Sequence, residues 1–91
     1  MKRYMIERDI PAIGSADREA LRAAAKKSNS VLKELAPNIQ WIESYVAGDK
    51  TFCVYLARDE AIIRQHAEKS GFPANKITAI RRIIDPTTAT A

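Results

Sequence analysis

Four stretches of the chain have the composition and patterning of β-strands. Lys2 to Arg8 alternates between residue types, as expected for a strand with one buried face. Ile39 to Ala47 and Thr51 to Ala57 are rich in β-branched and aromatic residues, and the Gly-Asp-Lys sequence between them predicts a β-hairpin. Lys76 to Ile84 is the last predicted strand, and an Asp-Pro step ends it.

Two stretches between these strands have helical patterning. From Ala16 to about Leu35, small and aliphatic residues recur at three- and four-residue spacing, which is typical of an amphipathic helix packed on a sheet. Ser15 is its predicted N-cap, and Pro37 forces the helix to end near Leu35. Arg58 to Ser70 is the second predicted helix, with a glycine directly after it as a stop signal.

The resulting order of elements is βαββαβ, which predicts an α+β fold of the ferredoxin-like type. In that fold a four-stranded antiparallel sheet carries both helices on one face. We expect one such domain over residues 1–86 and a frayed C-terminal tail over residues 87–91.

The register of the predicted hairpin decides which side chains share a face of the sheet. If Gly48 to Lys50 form a three-residue loop, Tyr45 lies opposite Cys53 and Glu43 opposite Tyr55. One face then carries Trp41, Glu43, Tyr45, Cys53 and Tyr55. The other face carries Ile42, Val46, Phe52, Val54 and Leu56, and we expect the helices to cover it because it is nearly free of polar atoms. The first face would be an exposed aromatic patch, which predicts a homodimer.

Size and composition agree with a small globular domain that gains from association. A chain of 91 residues that folds alone buries only about 60–65% of its unfolded surface. Hydrophobic residues make up 46% of the chain and charged residues 29%, which excludes a disordered or fibrous protein. No apolar run approaches the roughly 20 residues of a membrane span, and no signal peptide is recognised, so a cytoplasmic location is expected.

Charge and cysteine content exclude several other classes. The net charge is +4, but the basic residues are scattered, which disfavours a nucleic-acid interface. Cys53 is the only cysteine, so neither an internal disulfide nor a zinc-finger pattern is possible. With a single cysteine and His66 as the only histidine, predicted on opposite faces, a catalytic triad of the usual form is excluded, and we assign no catalytic residue.

Candidate chemistry lies on the face predicted to lack helices. Glu43, Cys53 and the phenols of Tyr45 and Tyr55 could hold a metal ion or orient a small molecule. Alternatively, the tyrosines fill a dimer core, Cys53 acts as a small hydrophobe and Glu43 pairs with an arginine. His66 lies on a helix stripe facing the covered side of the sheet, either as a hydrogen-bonded core residue or as a ligand.

Four strings of the sequence resemble one protein family. They are QWIESYV (Gln40 to Val46), TFCVYLA (Thr51 to Ala57), HAEKSGFPANKI (His66 to Ile77) and IDPTTA (Ile84 to Ala89). They are similar to a small bacterial domain-of-unknown-function family whose described member is a nickel-binding protein. The resemblance implies a ferredoxin-like protomer, a dimeric α+β barrel and, for that member, bound nickel.

The resemblance also implies a candidate site. The matching positions are Tyr45, Cys53, Tyr55 and His66, and Glu43 stands where many members have histidine in a W-x-H-S-Y pattern. The expected metal ligands are therefore Glu43, Cys53 and His66, with Tyr45 and Tyr55 as ligand-binding residues. Nickel, or another divalent transition metal, is the expected cofactor.

Three functions remain open at this stage. The first is a cytoplasmic homodimer that binds a divalent metal, with nickel as the named candidate, and has no catalysis of its own. The second is a dimeric barrel that binds or converts a small organic molecule in the cavity between sheet and helices, which rests on fold-level analogy. The third is a structural or interaction module. The expected partner in each case is a second copy, with neither nucleic acid nor membrane involved.

Overall fold

A computed structural model describes residues 1–90 and contains every predicted helix and strand. Four strands and two α-helices follow one another in the βαββαβ order: β1 (Lys2–Asp9), α1 (Arg18–Leu35), β2 (Ile39–Val46), β3 (Lys50–Ala57), α2 (Glu60–Ser70) and β4 (Lys76–Ile80). Short 3₁₀ helices span Ile13–Ser15 and Pro86–Thr90.

The four strands form one sheet in the order β2-β3-β1-β4, with every neighbouring pair antiparallel. The core lies between one face of this sheet and the two helices. Tyr4 and Ile6 of β1 meet Val31 of α1 and Ile62 and Ile63 of α2 there. The ferredoxin-like α+β prediction is confirmed. Within residues 1–90, no helix has the length and apolar character needed to span a membrane.

Both α-helices begin at an aspartate that caps them. Asp17 accepts a hydrogen bond from the backbone of Ala20 at 2.8 Å, and Asp59 accepts one from Ile62 at 3.0 Å. The predicted cap at Ser15 is wrong, because Ser15 ends a 3₁₀ helix and donates its hydroxyl to the carbonyl of Ala12. Gly71 ends α2 at a φ of +80°, the left-handed conformation that favours glycine.

The hairpin register differs from the predicted one by a single residue. Tyr45 lies opposite Phe52, not opposite Cys53, and a β-bulge interrupts β2 between Trp41 and Glu43. Because side chains alternate between the faces, a one-residue shift moves a strand's side chains to the other face, and a bulge reverses the alternation again. The register therefore depends on loop length and on the bulge, and neither is evident from the sequence.

The predicted grouping of five side chains on one face is accordingly wrong. Trp41, Cys53 and Tyr55 face the helices, where Cys53 and Tyr55 belong to the core. Glu43 and Tyr45 lie on the opposite side. We call that side, which neither helix covers, the open face, and its central side chains are Met5, Glu43, Tyr45, Phe52, Val54 and Leu56.

The C-terminal segment has a shorter strand than predicted and ends in a 3₁₀ helix. β4 ends at Ile80, so the strand predicted to reach Ile84 is four residues too long. Pro86–Thr90 form a 3₁₀ helix that the Asp85 carboxylate caps by accepting from the Thr87 backbone at 2.9 Å. The last residue of the expected frayed tail, Ala91, lies outside the described residues.

A close backbone approach fastens the 3₁₀ segment after β1 to the tip of the hairpin. Gly14 donates its backbone N–H to the carbonyl of Gly48 at 2.9 Å. A Cβ atom added at Gly14 would lie 2.5 Å from the carbonyl oxygen of Ala47 and 2.9 Å from the Cα of Gly48. Only glycine therefore fits at this position without moving backbone.

We expect Gly14→Ala to lower the free energy of unfolding by about 1–3 kcal/mol, because the added methyl group overlaps backbone atoms. Gly48→Ala is the matched control, since a Cβ atom there would meet nothing within 4 Å. Urea denaturation of both variants measures the difference. Equal stability of the two variants would contradict the proposed contact.

Candidate functional site

A cavity of about 310 Å³ lies between α1 and the sheet and opens to solvent. We call it the interior cavity. Ile13, Leu21, Ala24 and Trp41 form much of its apolar wall. Its principal polar groups are the side chains of Arg8, Ser28, Cys53 and Tyr55.

Arg8 carries a buried positive charge into this cavity. Only 3% of the residue is exposed, because β1 directs it to the helix-covered face beside Tyr55 and Phe72. Its guanidinium donates to the carbonyls of Pro73 at 2.7 Å and Phe72 at 3.5 Å, and to the Tyr55 hydroxyl at 3.4 Å. Among residues 1–90 no carboxylate lies within salt-bridge distance of it. No carboxylate of the described residues therefore neutralises this charge.

His66 lies behind the same polar groups and is fully buried. Its Nε2 atom is 3.1 Å from the hydroxyl of Ser28, and its ring packs against Tyr55 at a centroid distance of 5.5 Å. Burial, and then the positive charge of Arg8, lower the pKa of His66 to about 4. The imidazole is therefore neutral at pH 7, and its Nδ1 atom has no hydrogen-bond partner among the described residues.

Tyr55 and Cys53 complete the polar side of the interior cavity. Tyr55 is buried, and this burial raises the pKa of its phenol. The thiol of Cys53 donates to the Thr51 hydroxyl at 3.6 Å. The Tyr55 phenol is therefore favoured in its neutral form and accepts a hydrogen bond from Arg8 at 3.4 Å.

Glu43 and Tyr45 form a separate pair on the open face. The Tyr45 hydroxyl donates to a carboxylate oxygen of Glu43, and this hydrogen bond raises the pKa of Tyr45. The sheet separates the pair from Cys53 and His66. In the part of the chain that the structure describes, no group of three or more His, Cys, Asp or Glu side chains is arranged to hold a metal ion. One protomer therefore does not assemble the three expected metal ligands around one point.

Sequence reasoning missed Arg8 and Ser28. A signal for Arg8 was present, because it follows Tyr4 and Ile6 at two-residue spacing and so shares their buried face of β1. Ser28 precedes Val31 by three residues on the buried side of α1. The sequence signal for the site was therefore Arg8, a charged residue at a core position of β1.

We expect protein stability to fall between about pH 6.5 and pH 4 through His66. The unfolded chain binds a proton at the ordinary pKa of 6.5, whereas the folded chain binds it only near 4. Acid in this range therefore favours unfolding, by on the order of 1–3 kcal/mol. Below pH 4 both states are protonated and this contribution changes no further.

Urea denaturation of the wild type and of His66→Gln, repeated at unit steps from pH 7 to pH 4, measures this contribution. Glutamine can still hydrogen-bond to Ser28 but does not titrate. The other ionisable groups are common to both proteins, so the wild type should lose more stability than the variant. Parallel pH curves would show that His66 titrates normally.

Comparisons with known proteins were consistent with the fold and gave a family. Residues 4–80 match the family model described as nickel responsive protein, SCO4226-like. The crystal structure of SCO4226 from Streptomyces coelicolor A3(2) superposes on this chain with a TM-score of 0.75 at 14% identity, covering 90% of this chain and 99% of that one. This likeness shows the same fold. No curated protein matches the chain.

The matched region begins in β1 and ends at the last residue of β4, so it includes every helix and strand of the sheet domain. The family expected from the four sequence strings is thereby confirmed. This chain belongs to the nickel responsive, SCO4226-like family.

Proposed function

We propose that this protein is a homodimer that binds a divalent metal ion, with nickel as the first candidate, and catalyses no reaction of its own. The observation that carries the proposal is the match of residues 4–80 to a family described as nickel responsive. A response to nickel requires that the ion bind some member of the pathway, and direct binding by this chain is the simplest case.

The composition of the open face supports the homodimer. Phe52, Val54 and Leu56 lie in a row along β3, and Met5 lies beside Val54 on β1. An apolar sheet face without covering helices is stabilised when a second copy packs against it. The partner is therefore expected to bury these side chains in both protomers.

The candidate metal ligands divide into an interior set and an exterior one. Cys53 lines the interior cavity and His66 packs behind Ser28 in its wall, where the Arg8 guanidinium repels a second cation. Glu43 lies on the open face, and Tyr45 is its one side-chain hydrogen-bond partner among the described residues. We therefore favour Glu43 as the first ligand, with the coordination completed by groups of the second protomer.

Isothermal titration with nickel should give defined binding that Glu43→Ala weakens at least tenfold, because the variant loses the anionic ligand. Glu68→Ala is the matched control, since Glu68 is an exposed carboxylate on α2 and its removal changes the net charge equally. His66→Gln should bind nickel like the wild type.

Two results would contradict this assignment. Absence of nickel, cobalt and zinc binding by the wild type would remove the metal function. Loss of binding in His66→Gln with retention in Glu43→Ala would instead move the site to the interior set.

The dimer itself is tested by adding a charge to the open face. Phe52→Glu should convert a dimer into a monomer of 10.1 kDa in analytical ultracentrifugation, because a buried interfacial carboxylate has no partner. Ala61→Glu adds the same charge on the exposed side of α2 and should leave the dimer intact. A wild type that sediments as a monomer at micromolar concentration would overturn the proposal.

A second function is favoured by a separate observation, the interior cavity. Its volume of about 310 Å³ lies at the lower end of the range for small-molecule sites, about 300–1,000 Å³. An apolar wall with a few convergent polar groups is also the usual composition of such sites. We infer that the cavity binds a small organic molecule, whether or not the open face binds metal.

A further inference from the structure

We propose that the interior cavity is a site for a small organic carboxylate, which places its anionic group on Arg8 and its apolar body against Trp41 and the aliphatic wall. The inference rests on the second proposed function and specifies its ligand class. Three observations carry it, each made on residues 1–90: Arg8 has no carboxylate partner, the cavity lining contains no acidic residue, and the remaining wall is largely apolar.

The first observation is that Arg8 retains unused hydrogen-bonding capacity. A guanidinium has five N–H donors and remains protonated at every accessible pH. The contacts of Arg8 are one short hydrogen bond, to Pro73 at 2.7 Å, and two long ones, to Phe72 at 3.5 Å and Tyr55 at 3.4 Å. A carboxylate binds a guanidinium through two parallel hydrogen bonds and would neutralise the buried charge.

The second observation is the sign of charge around the cavity. Arg8 is the only charged residue among the cavity-lining residues that the structure describes, and none of them is acidic. His66 packs behind Ser28 as a neutral imidazole, and Tyr55 and Cys53 are the other titratable groups that line the cavity. Lys27, which lies 5.8 Å from the centroid of the Phe72 ring, adds a second positive charge nearby. An unopposed positive charge in a low-dielectric cleft attracts anions and repels cations.

The third observation is that the cavity wall combines a few polar groups with extensive apolar surface. The Tyr55 hydroxyl lies 3.4 Å from Arg8 and the Ser28 hydroxyl also lines the cavity, so both can donate to a bound anion. Ile10, Ile13 and Leu21 line the cavity with aliphatic surface, and Trp41 adds an aromatic one. A molecule with a carboxylate head and a compact aromatic or aliphatic body matches this composition.

The chain contains its own reporter for this binding. Trp41 is the single tryptophan and lines the cavity, so its fluorescence should change when a ligand enters. We would titrate the purified full-length protein at pH 7 with three probes of one shape: phenylacetate, 2-phenylethanol and phenethylamine. Octanoate and octanol form a second acid–alcohol pair, in which the apolar body is aliphatic. Each carboxylate should bind saturably and at least tenfold more tightly than its alcohol, and the amine should not bind.

The outcomes separate this inference from the function on which it rests. Equal affinity for acid and alcohol would overturn the carboxylate inference and leave a neutral-ligand cavity. Absence of saturable binding by every probe up to about 10 mM, on the order of the weakest binding worth interpreting, would overturn both the carboxylate inference and the small-molecule function. Arg8 would then have a structural role, holding Phe72 and Pro73 to β1.

Two variants test the assigned roles. Arg8→Met removes the charge at similar volume and should reduce the preference for acid over alcohol to about one; a tenfold preference that persisted in it would overturn the role of Arg8. Ala24→Leu narrows the cavity without touching Arg8 and should weaken every probe, whereas Ala61→Leu on the exposed side of α2 should weaken none.

A measurement on the wild type keeps the test decisive if Arg8→Met does not fold. A carboxylate bound to Arg8 offsets the charge that helps hold the pKa of His66 near 4. Phenylacetate should therefore raise the His66 pKa, followed by the NMR shift of the imidazole Cε1 proton, while 2-phenylethanol should not. An unchanged His66 pKa at saturating phenylacetate would show that the anion lies away from Arg8.

Discussion

The pairing of β2 with β3 is the constraint on which the rest of this molecule depends. Val46 lies opposite Thr51, and a bulge between Trp41 and Glu43 brings Trp41 back to the helix-covered side. Together they direct Trp41, Cys53 and Tyr55 toward the helices, while Glu43 and Tyr45 point away. A one-residue shift of β2 would turn Trp41 away from the helices, and the cavity would lose that part of its aromatic wall.

On the helix-covered side of the sheet, the buried charge of Arg8 determines the electrostatics of the interior cavity. Arg8 clamps the segment after α2 by hydrogen bonds to backbone carbonyls and packs its guanidinium on the rings of Tyr55 and Phe72. Its field, together with burial, keeps His66 neutral. A dication is disfavoured beside Arg8 and an anion is favoured, so metal binding and organic-ligand binding are expected on opposite sides of the sheet.

The sequence was sufficient to predict the fold. The alternation of residue types in the strands, the helical spacing of apolar residues, and the proline and glycine at the helix ends are local signals, and packing in the core stabilises the same elements. The sequence was insufficient for the site, because the face of each hairpin residue depends on whether the loop contains two or three residues and on a bulge. Phe52, Val54 and Leu56 form the more apolar set, yet they face away from the helices, so the rule that the more apolar face is covered by helices was wrong. Arg8 could have been found, since it stands at a core position of β1.

β3 is the common wall of both proposed sites. Its odd-numbered side chains, such as Cys53 and Tyr55, face the cavity, and its even-numbered ones, such as Phe52 and Val54, face away. A displacement of this strand therefore reaches the two surfaces at once. By thermodynamic linkage, a cavity ligand that binds the associated form more tightly than the separate protomers must strengthen their association by the same factor. Because β3 borders both the cavity and the open face, it is the element through which ligand binding in the cavity and association of the protomers would be allosterically coupled.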